Sequence, residues 1–460
     1  MTGKPLKREG TLLQLTSLKE LRMSDCPKAM NGTLKVRQLQ RTLYLKSKQC
    51  KEVRFYSLYD KIYRKDVLWE SWRQVKANKG AAGIDGKSID AIIASGEEVI
   101  INKLQKQLRA KLYKFSSSRL VEIPKSNGGT RPLEITTIAD RIVLTAIKIV
   151  IEPIFEADFH ACSYGYRPKR SAKQASIAIQ DDLYQQAWGV IEIDFQSYFT
   201  SIPHEKLLKL ISKRIADGSM LRIIKETLKT SVFIQGKPID RKKVGVSQGS
   251  PVSPLYSNIY LNVIDQVWHA RGYPAKLGAT LHRYCDDVIL VCRKSAHLAL
   301  ERFTELAKRL SLTINHQKTH ITKLTEGFNF IGFNFVKRKS PTSGRNSIYV
   351  FPSQRSQQTI RNKLKYLTCR RAPIKPQAFI DQIKPVVLGW VNYFKHTNAR
   401  EAFVRLQGFI NNRFRRYLTY RSKGRGFGWQ NHPNSKLYTM GMFYIGSGMI
   451  KYPEKVAQDL

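Results

Sequence analysis

The stretch Leu281-His-Arg-Tyr-Cys-Asp-Asp-Val-Ile-Leu-Val-Cys292 sets two adjacent carboxylates, Asp286 and Asp287, between apolar and β-branched runs. This pattern predicts a strand, a tight turn and a second strand. Adjacent Asp residues at a turn have an ordinary explanation, because Asp bonds its own backbone and is common in turns. A second stretch shifts the balance. Val190-Ile-Glu-Ile-Asp-Phe195 is another apolar strand, and it delivers Asp194 to its end. Two strand-borne acids of this kind can share hard cations, since Mg²⁺ takes oxygen ligands and suits phosphoryl transfer.

The composition fits such chemistry on a polyanion. The chain has 460 residues, 42% of them hydrophobic, with 79 basic against 35 acidic side chains and a formal net charge of +44. That length exceeds one compact core and predicts about two to four domains. A surplus of this size repels itself in the free state and is normally offset by a polyanionic partner. Nucleic acid is the leading candidate, well ahead of an anionic membrane surface. No apolar run reaches the roughly 18 residues of a membrane span. The nearest attempt, from Ile142 to Phe155, is broken by Lys148, Glu152 and Pro153. Cys26, Cys50, Cys162, Cys285, Cys292 and Cys369 form no CxxC pair, so neither a zinc ribbon nor a disulfide framework is indicated. The N-terminus lacks the apolar core of a secretory signal, and Glu9 argues against a mitochondrial presequence. The expected setting is a reducing bacterial cytoplasm in association with the nucleoid, and an organelle is also compatible.

Outward from the two acids, the chain divides by character. The first sixty or so residues form a basic, helix-patterned preface, in which Lys35, Arg37, Arg41, Lys46, Lys48 and Lys51 crowd one segment. They make either a solvated helix face or an RNA-backbone contact. A helical pattern from Leu58 to Val75 ends in the glycine-dense loop Asn78-Lys-Gly-Ala-Ala-Gly-Ile-Asp-Gly86. Ser118 to Lys125 and Thr130 to Ile135 flank Ser126-Asn-Gly-Gly129 and predict a hairpin with Lys125 and Arg131 on its two arms. Ser163-Tyr-Gly-Tyr-Arg-Pro-Lys-Arg170 mixes aromatics that can stack on bases with Arg167, Lys169 and Arg170, which can hold phosphates. A long basic helical stretch is expected from Pro203 to about Val232, and a loop from Gly245 to Pro254. Phe328 to Phe333 is expected as one short aromatic strand. From Phe351 onward the only acids are Asp381, Glu401, Glu454 and Asp459. There, segments around Leu388–Phe394 and Phe403–Tyr417 predict helices with an aromatic core face. Arg413, Arg415, Arg416, Arg421 and Lys423 are expected on an outer, RNA-binding face.

Taken in order, these segments resemble the reverse transcriptases, or maturases, encoded by group II introns. The resemblance runs from about Leu58 to Tyr444. It rests on Asn78 to Gly86, Ile123-Pro-Lys…Gly-Thr-Arg-Pro132, Ser163-Tyr-Gly-Tyr-Arg-Pro168 and Ile193-Asp-Phe-Gln-Ser-Tyr-Phe199. It continues through Ser247-Gln-Gly-Ser-Pro-Val-Ser-Pro-Leu255, Tyr284-Cys-Asp-Asp287, Lys318-Thr319, Phe330-Ile-Gly-Phe333 and Gly389-Trp-Val-Asn-Tyr-Phe394.

The resemblance implies an α+β right-hand polymerase followed by an α-helical thumb. Its expected parts are a basic N-terminal extension (1–57), fingers (58–180), a palm with the catalytic acids (181–345), a thumb or maturase domain of RNA-binding helices (346–445) and a short tail (446–460). It implies that Asp194, Asp286 and Asp287 are the catalytic acids. Asp194, Phe195 and Asp286 would hold two Mg²⁺ ions, which activate the primer 3′-hydroxyl and neutralise charge on the α-phosphate. Lys125, Arg131, Phe199, Gln248 and Lys318 would form the dNTP site, with Phe199 as the steric gate against a ribose 2′-hydroxyl. Phe330, Ile331, Gly332 and Phe333 would be the primer grip. The implied partners are a group II intron RNA, a DNA target or primer, and dNTPs, with no membrane; no feature of the sequence sets an oligomeric state.

This chain departs from the family pattern at Cys285, where Ala is usual, and at Ser247, Ser250 and Pro251, where Pro, Gly and Val are usual. No paired cysteines or His-Asn-His-like cluster follow Tyr444, so the endonuclease domain of many relatives is expected to be missing. The implied activity is RNA-directed DNA polymerisation with help to intron splicing and to retrohoming by target-primed reverse transcription. Two alternatives are a splicing cofactor on a relic polymerase fold and a stand-alone enzyme of defence or repair. Three intact acids favour an enzyme, since like charges held together cost stability unless cations balance them.

Overall fold

Helix Ile138–Glu156 is apolar almost all round, and a helix of that kind is stable only when surrounded by other elements. It starts cleanly because the Thr137 side chain accepts a hydrogen bond from the Asp140 amide. Helices Lys28–Gln49 and Lys65–Ala77 pack against it and bury Val36, Leu43, Val67, Leu68 and Trp72. The computed structural model describes residues 28–124, 129–234, 237–239, 243–369, 373–446 and 450–451. The start of the basic preface, Lys125 with the turn 126–128, and most of the tail 446–460 lie outside the described residues.

Two compact units emerge. The first comprises Met1–Asp158 and Pro203–Ser253, the second Phe159–Ile202 and Pro254–Leu460. In the first unit, strands Ser118–Pro124 and Thr130–Ile135 pair antiparallel from Arg119↔Ile135 to Pro124↔Thr130, as expected. The stretch after Pro203 is two helices, His204–Ser212 and Gly218–Lys229, and not one. The break spans residues 213–217 and ends at Asp217, whose carboxylate caps the second helix through the Met220 amide and also accepts the amides of Leu58 and Tyr59.

The second unit is built on a four-stranded antiparallel sheet in the order Ala279–Tyr284, Asp287–Cys292, Gly189–Ile193, His320–Lys323. A smaller antiparallel sheet of Phe328–Phe330, Phe333–Lys339 and Asn346–Pro352 follows. The expected single aromatic strand is therefore a hairpin. Phe330 pairs with Phe333, and the two residues between them turn with positive φ, 43° at Ile331 and 87° at Gly332. Helices Pro376–Phe394 and Arg400–Arg421 then pack their aromatic stripes into one core. That core joins Val190 and Ile289 of the large sheet to Phe333, Phe335, Phe379, Val387, Phe414 and Tyr417. The mixture of helices with mainly antiparallel sheets is α+β. Among the described residues, no helix is long and apolar enough to cross a membrane.

Candidate active site

Sheet register brings the acids to one end of the second unit's large sheet. Tyr284 pairs with Asp287 and closes the hairpin over the two-residue loop Cys285-Asp286. The central strand runs antiparallel to the second arm with Ile193 opposite Val288, so Asp194 follows at the edge where that loop sits. On its other side, Glu192 pairs with His320, which brings Lys318 and Thr319 to the same end. Lys318 Nζ lies 3.5 Å from Asp194 Oδ2, and the Asp194 amide reaches Thr319 Oγ1 at 3.3 Å. Asp194 and Asp286 are half-buried and Asp287 is exposed. Phe195 is buried and bridges Ile314, while the bonds holding this end to 313–315 use the Asp194 carbonyl and the Gln196 amide. The group offers carboxylate and backbone oxygens at an accessible sheet end, and the Lys318 ammonium already sits beside one carboxylate. Hard oxygen donors of this kind fit Mg²⁺.

The loop at Cys285-Asp286 has an unusual backbone. Cys285 takes φ 60°, a left-handed value ordinarily left to glycine in the first position of a two-residue turn. A buried network holds it there. Arg283, 1% exposed, donates to both oxygens of Asp265, from Nε at 3.0 Å and Nη2 at 2.6 Å. Its Nη1 reaches Asn258 Oδ1 and the Cys285 carbonyl, both at 2.8 Å. Burial works against the Arg283 charge, but Asp265 outweighs it and raises the pKa. Asn258 also donates to the Gly165 carbonyl at 2.9 Å, so helix Ser253–Ala270 ties the 163–167 segment to the hairpin. Gly165 is needed for that closeness, since a Cβ there would lie 2.4 Å from the Cys285 nitrogen. Burial, then the charge of Asp286, pushes the Cys285 thiol up to about 12. Its sulfur lies 3.5 Å from the Ser257 hydroxyl, as a packing residue does.

Phe199 is half-buried on the short helix Tyr198–Ser201, with its ring edge-on to Tyr198 at 5.3 Å. In the first unit, the Glu134 amide donates to the Gln248 carbonyl at 2.7 Å, which docks the 245–250 loop onto the hairpin arm that carries exposed Arg131. Lys125 lies outside the described residues. Ser247, Ser250 and Ser253 hold buried hydroxyls without hydrogen-bond partners among the described residues. In the aromatic hairpin, Phe330 and Phe333 are buried, and the Tyr393 hydroxyl donates to the Ile331 carbonyl at 2.8 Å with its ring stacked on Phe333.

The basic residues divide sharply. Lys169, Arg416, Arg421 and Lys423 are exposed, and Arg170 is half-buried over the Tyr164 ring. Arg167 is buried and donates to the carbonyls of His160 and Ser163, both at 2.7 Å. Arg413 bonds the Thr368 carbonyl and hydroxyl. Arg415 is 0% exposed, and its nitrogens reach the His432 carbonyl, Asn412 Oδ1 and Asn434 Oδ1. Arg167 and Arg415 therefore brace loops and do not belong to an exposed RNA-binding face. Helical spacing carries a sign of this for Arg415, because Gln407, Asn411 and Arg415 recur every fourth residue beside the apolar stripe. Sequence reasoning also missed Arg283 and Asp265. The available signal was an Arg two residues after Leu281 in an apolar strand, hence on the same buried face.

Comparison with known proteins places these features in a lineage. A reverse transcriptase (RNA-dependent DNA polymerase) family model matches residues 123–335, and a group II intron maturase-specific domain model matches 357–434. Protein YkfC of Escherichia coli (strain K12) is 30% identical over 359 residues, covering 70% of this chain and 93% of that one. Group II intron-encoded protein LtrA of Lactococcus lactis subsp. cremoris is 31% identical over 259 residues, 56% of this chain and 41% of its own length. An uncharacterized 91 kDa protein in the cob intron of Schizosaccharomyces pombe is 25% identical over 430 residues, 76% of this chain and 52% of that one. The chain thus spans nearly all of the first relative and about half or less of the other two.

Proposed function

The chain belongs to the reverse transcriptases and maturases encoded by group II introns, and on that premise we propose that it copies its intron RNA into DNA from a target-site primer and assists splicing of the same RNA. In this reading it is an RNA-directed DNA polymerase of right-hand form. Residues 58–180 are fingers, 181–345 the palm and 346–445 the thumb. Asp194 and Asp286, with the Phe195 carbonyl, would hold the catalytic Mg²⁺ pair, and Asp287 would support them. When bound, those ions lower the pKa of the primer hydroxyl and neutralise developing charge on the α-phosphate. The chain's own groups do the rest. Arg131 and Gln248 orient the triphosphate, Phe199 crowds a 2′-hydroxyl, Lys318 holds a positive charge beside Asp194, and the turn at Ile331-Gly332 seats the primer end.

The observation that carries this reading is the arrival of Asp194, Asp286 and Asp287 at one sheet end, set by the register of three strands. Asp286→Ala is expected to abolish primer extension on poly(rA)/oligo(dT) while leaving intron-RNA binding close to normal. Extension with unaltered Mg²⁺ dependence would remove Asp286 from the metal site. Wild-type protein that binds intron RNA but never extends a primer would point to the splicing-cofactor alternative.

A further inference from the structure

Two large rings stand open where the sequence forecast only basic side chains. In Gly424-Arg-Gly-Phe-Gly-Trp429, Phe427 is 57% exposed and Trp429 56%, whereas Trp72 and Trp268 are buried in the cores. Resting on the reading that this region binds RNA, we propose that Phe427 and Trp429 form a stacking platform for unpaired RNA bases, with Trp429 as the principal ring.

The arrangement beneath Trp429 is built. The Arg415 guanidinium carbon lies 3.6 Å from the indole centroid, a close cation–π stack. Its hydrogen bonds to His432, Asn412 and Asn434 hold the guanidinium in place. Arg415 therefore cannot swing out to a phosphate; it supports the ring from one side while the Trp429 residue stays 56% exposed. The loop reaches this position only because residue 428 is glycine. It takes φ 70°, and a Cβ there would sit 1.9 Å from Thr419 Oγ1. The His432 amide closes the loop onto the Gly428 carbonyl at 2.9 Å, and the Gly424 amide ties it to Thr419 at 2.9 Å. Arg416 lies 5.3 Å from the Phe427 ring and is exposed, as are Arg421, Lys423 and Arg425.

Charge and shape together select the occupant. The surrounding cations suit a polyanion, and the exposed rings suit flat aromatic groups whose own faces are free. Bases inside a duplex have no free face, whereas splayed bases of a loop or single strand do. Unpaired RNA satisfies both demands.

Binding of the full-length protein to a short unstructured RNA oligonucleotide, and to a duplex RNA of equal length, tests this across a salt series. Trp429→Ala is expected to weaken single-strand binding roughly tenfold with an unchanged salt slope and with duplex binding unaffected, because stacking releases no counterions. Trp429→Phe should restore most of the affinity. The pair Arg416→Gln and Lys423→Gln should instead flatten the slope. If Trp429→Ala stays within about twofold of wild type while the basic pair weakens binding, the platform is wrong and the RNA-binding reading stands. If neither variant matters, that reading of the region fails as well. Equal loss on single-stranded and duplex RNA would also overturn the platform.

Discussion

Arg283 holds the loop that carries Asp286 without touching any reacting atom, since its guanidinium ends on Asp265, Asn258 and the Cys285 carbonyl. Such a group acts through geometry, and an Arg fork is not replaced by a Lys point charge. Arg283→Lys is expected to raise the Mg²⁺ concentration needed for primer extension and to cut the rate by roughly tenfold or more, as misplaced ligands do. Measuring thermal stability alongside separates the two roles: a lower melting temperature with an unchanged Mg²⁺ requirement would make Arg283 a stability residue only. Phe199→Ala is expected to admit rNTPs in single-nucleotide incorporation assays, and unchanged sugar discrimination would remove it as the gate. Cys285 has a different part. Its buried, firmly protonated thiol is unsuited to attack, and phosphoryl transfer needs no covalent intermediate.

Elements extend the same logic. The hairpin of Ala279–Tyr284 and Asp287–Cys292 keeps its place because the 163–167 segment lies against the turn with no side chain at Gly165. Gly165→Ala would force a Cβ into backbone atoms and is expected to destabilise by about 1–3 kcal/mol, the usual cost of overpacking. Primer extension should fall further than stability alone explains; paired denaturation and activity measurements with normal activity would show that the turn tolerates displacement. This hairpin and the Asp194 strand were legible in the sequence, because both are dense in β-branched residues and end in acids. The aromatic hairpin was not. Its turn puts Ile331, a β-branched residue that avoids positive φ, into the left-handed region, and the Tyr393 hydroxyl that bonds there comes from a helix some sixty residues away. Arg415 misled for a related reason: a run of arginines looks like a surface, whereas helical phase turns one of them inward. Partners distant in sequence, such as Asp265 for Arg283, leave no mark on local pattern.

Across the whole molecule, the chain enters each compact unit twice. Strand Gly189–Ile193 lies inside the large sheet between Asp287–Cys292 and His320–Lys323, so a fragment beginning at Pro254 would lack both an interior strand and Asp194. Buried carboxylates give the molecule a definite response to acid. Burial alone would raise Asp182 and Asp217. The bonds to His282 and Arg293 for Asp182, and to the Leu58, Tyr59, Met220 and Ser219 amides for Asp217, more than offset it and leave both below the usual range. Their contribution is present above the unfolded Asp value of about 3.9 and is lost as pH falls through the lowered folded values. Asp140, Glu152, Asp158 and Glu192 are raised, chiefly by burial, and carry the opposite sign, gaining stability as pH falls toward their unfolded values. Urea midpoints are therefore expected to peak on the weakly acid side of neutrality and to drop steeply below about pH 4. A monotonic fall from neutral pH would mean that the raised acids are outweighed by His160, His396 and His432, which burial holds below the usual imidazole range and which cost stability as pH falls.

The distribution of thiols has a practical consequence. Cys162, Cys285 and Cys292 are buried, whereas Cys50 and Cys369 are exposed, one in each compact unit. With Cys26 replaced by serine, a maleimide dye pair would attach at Cys50 and Cys369 and leave the carboxylate-bearing turn unlabelled. Single-molecule energy transfer could then follow the two units through nucleotide addition in a chain that needs no further engineered cysteine.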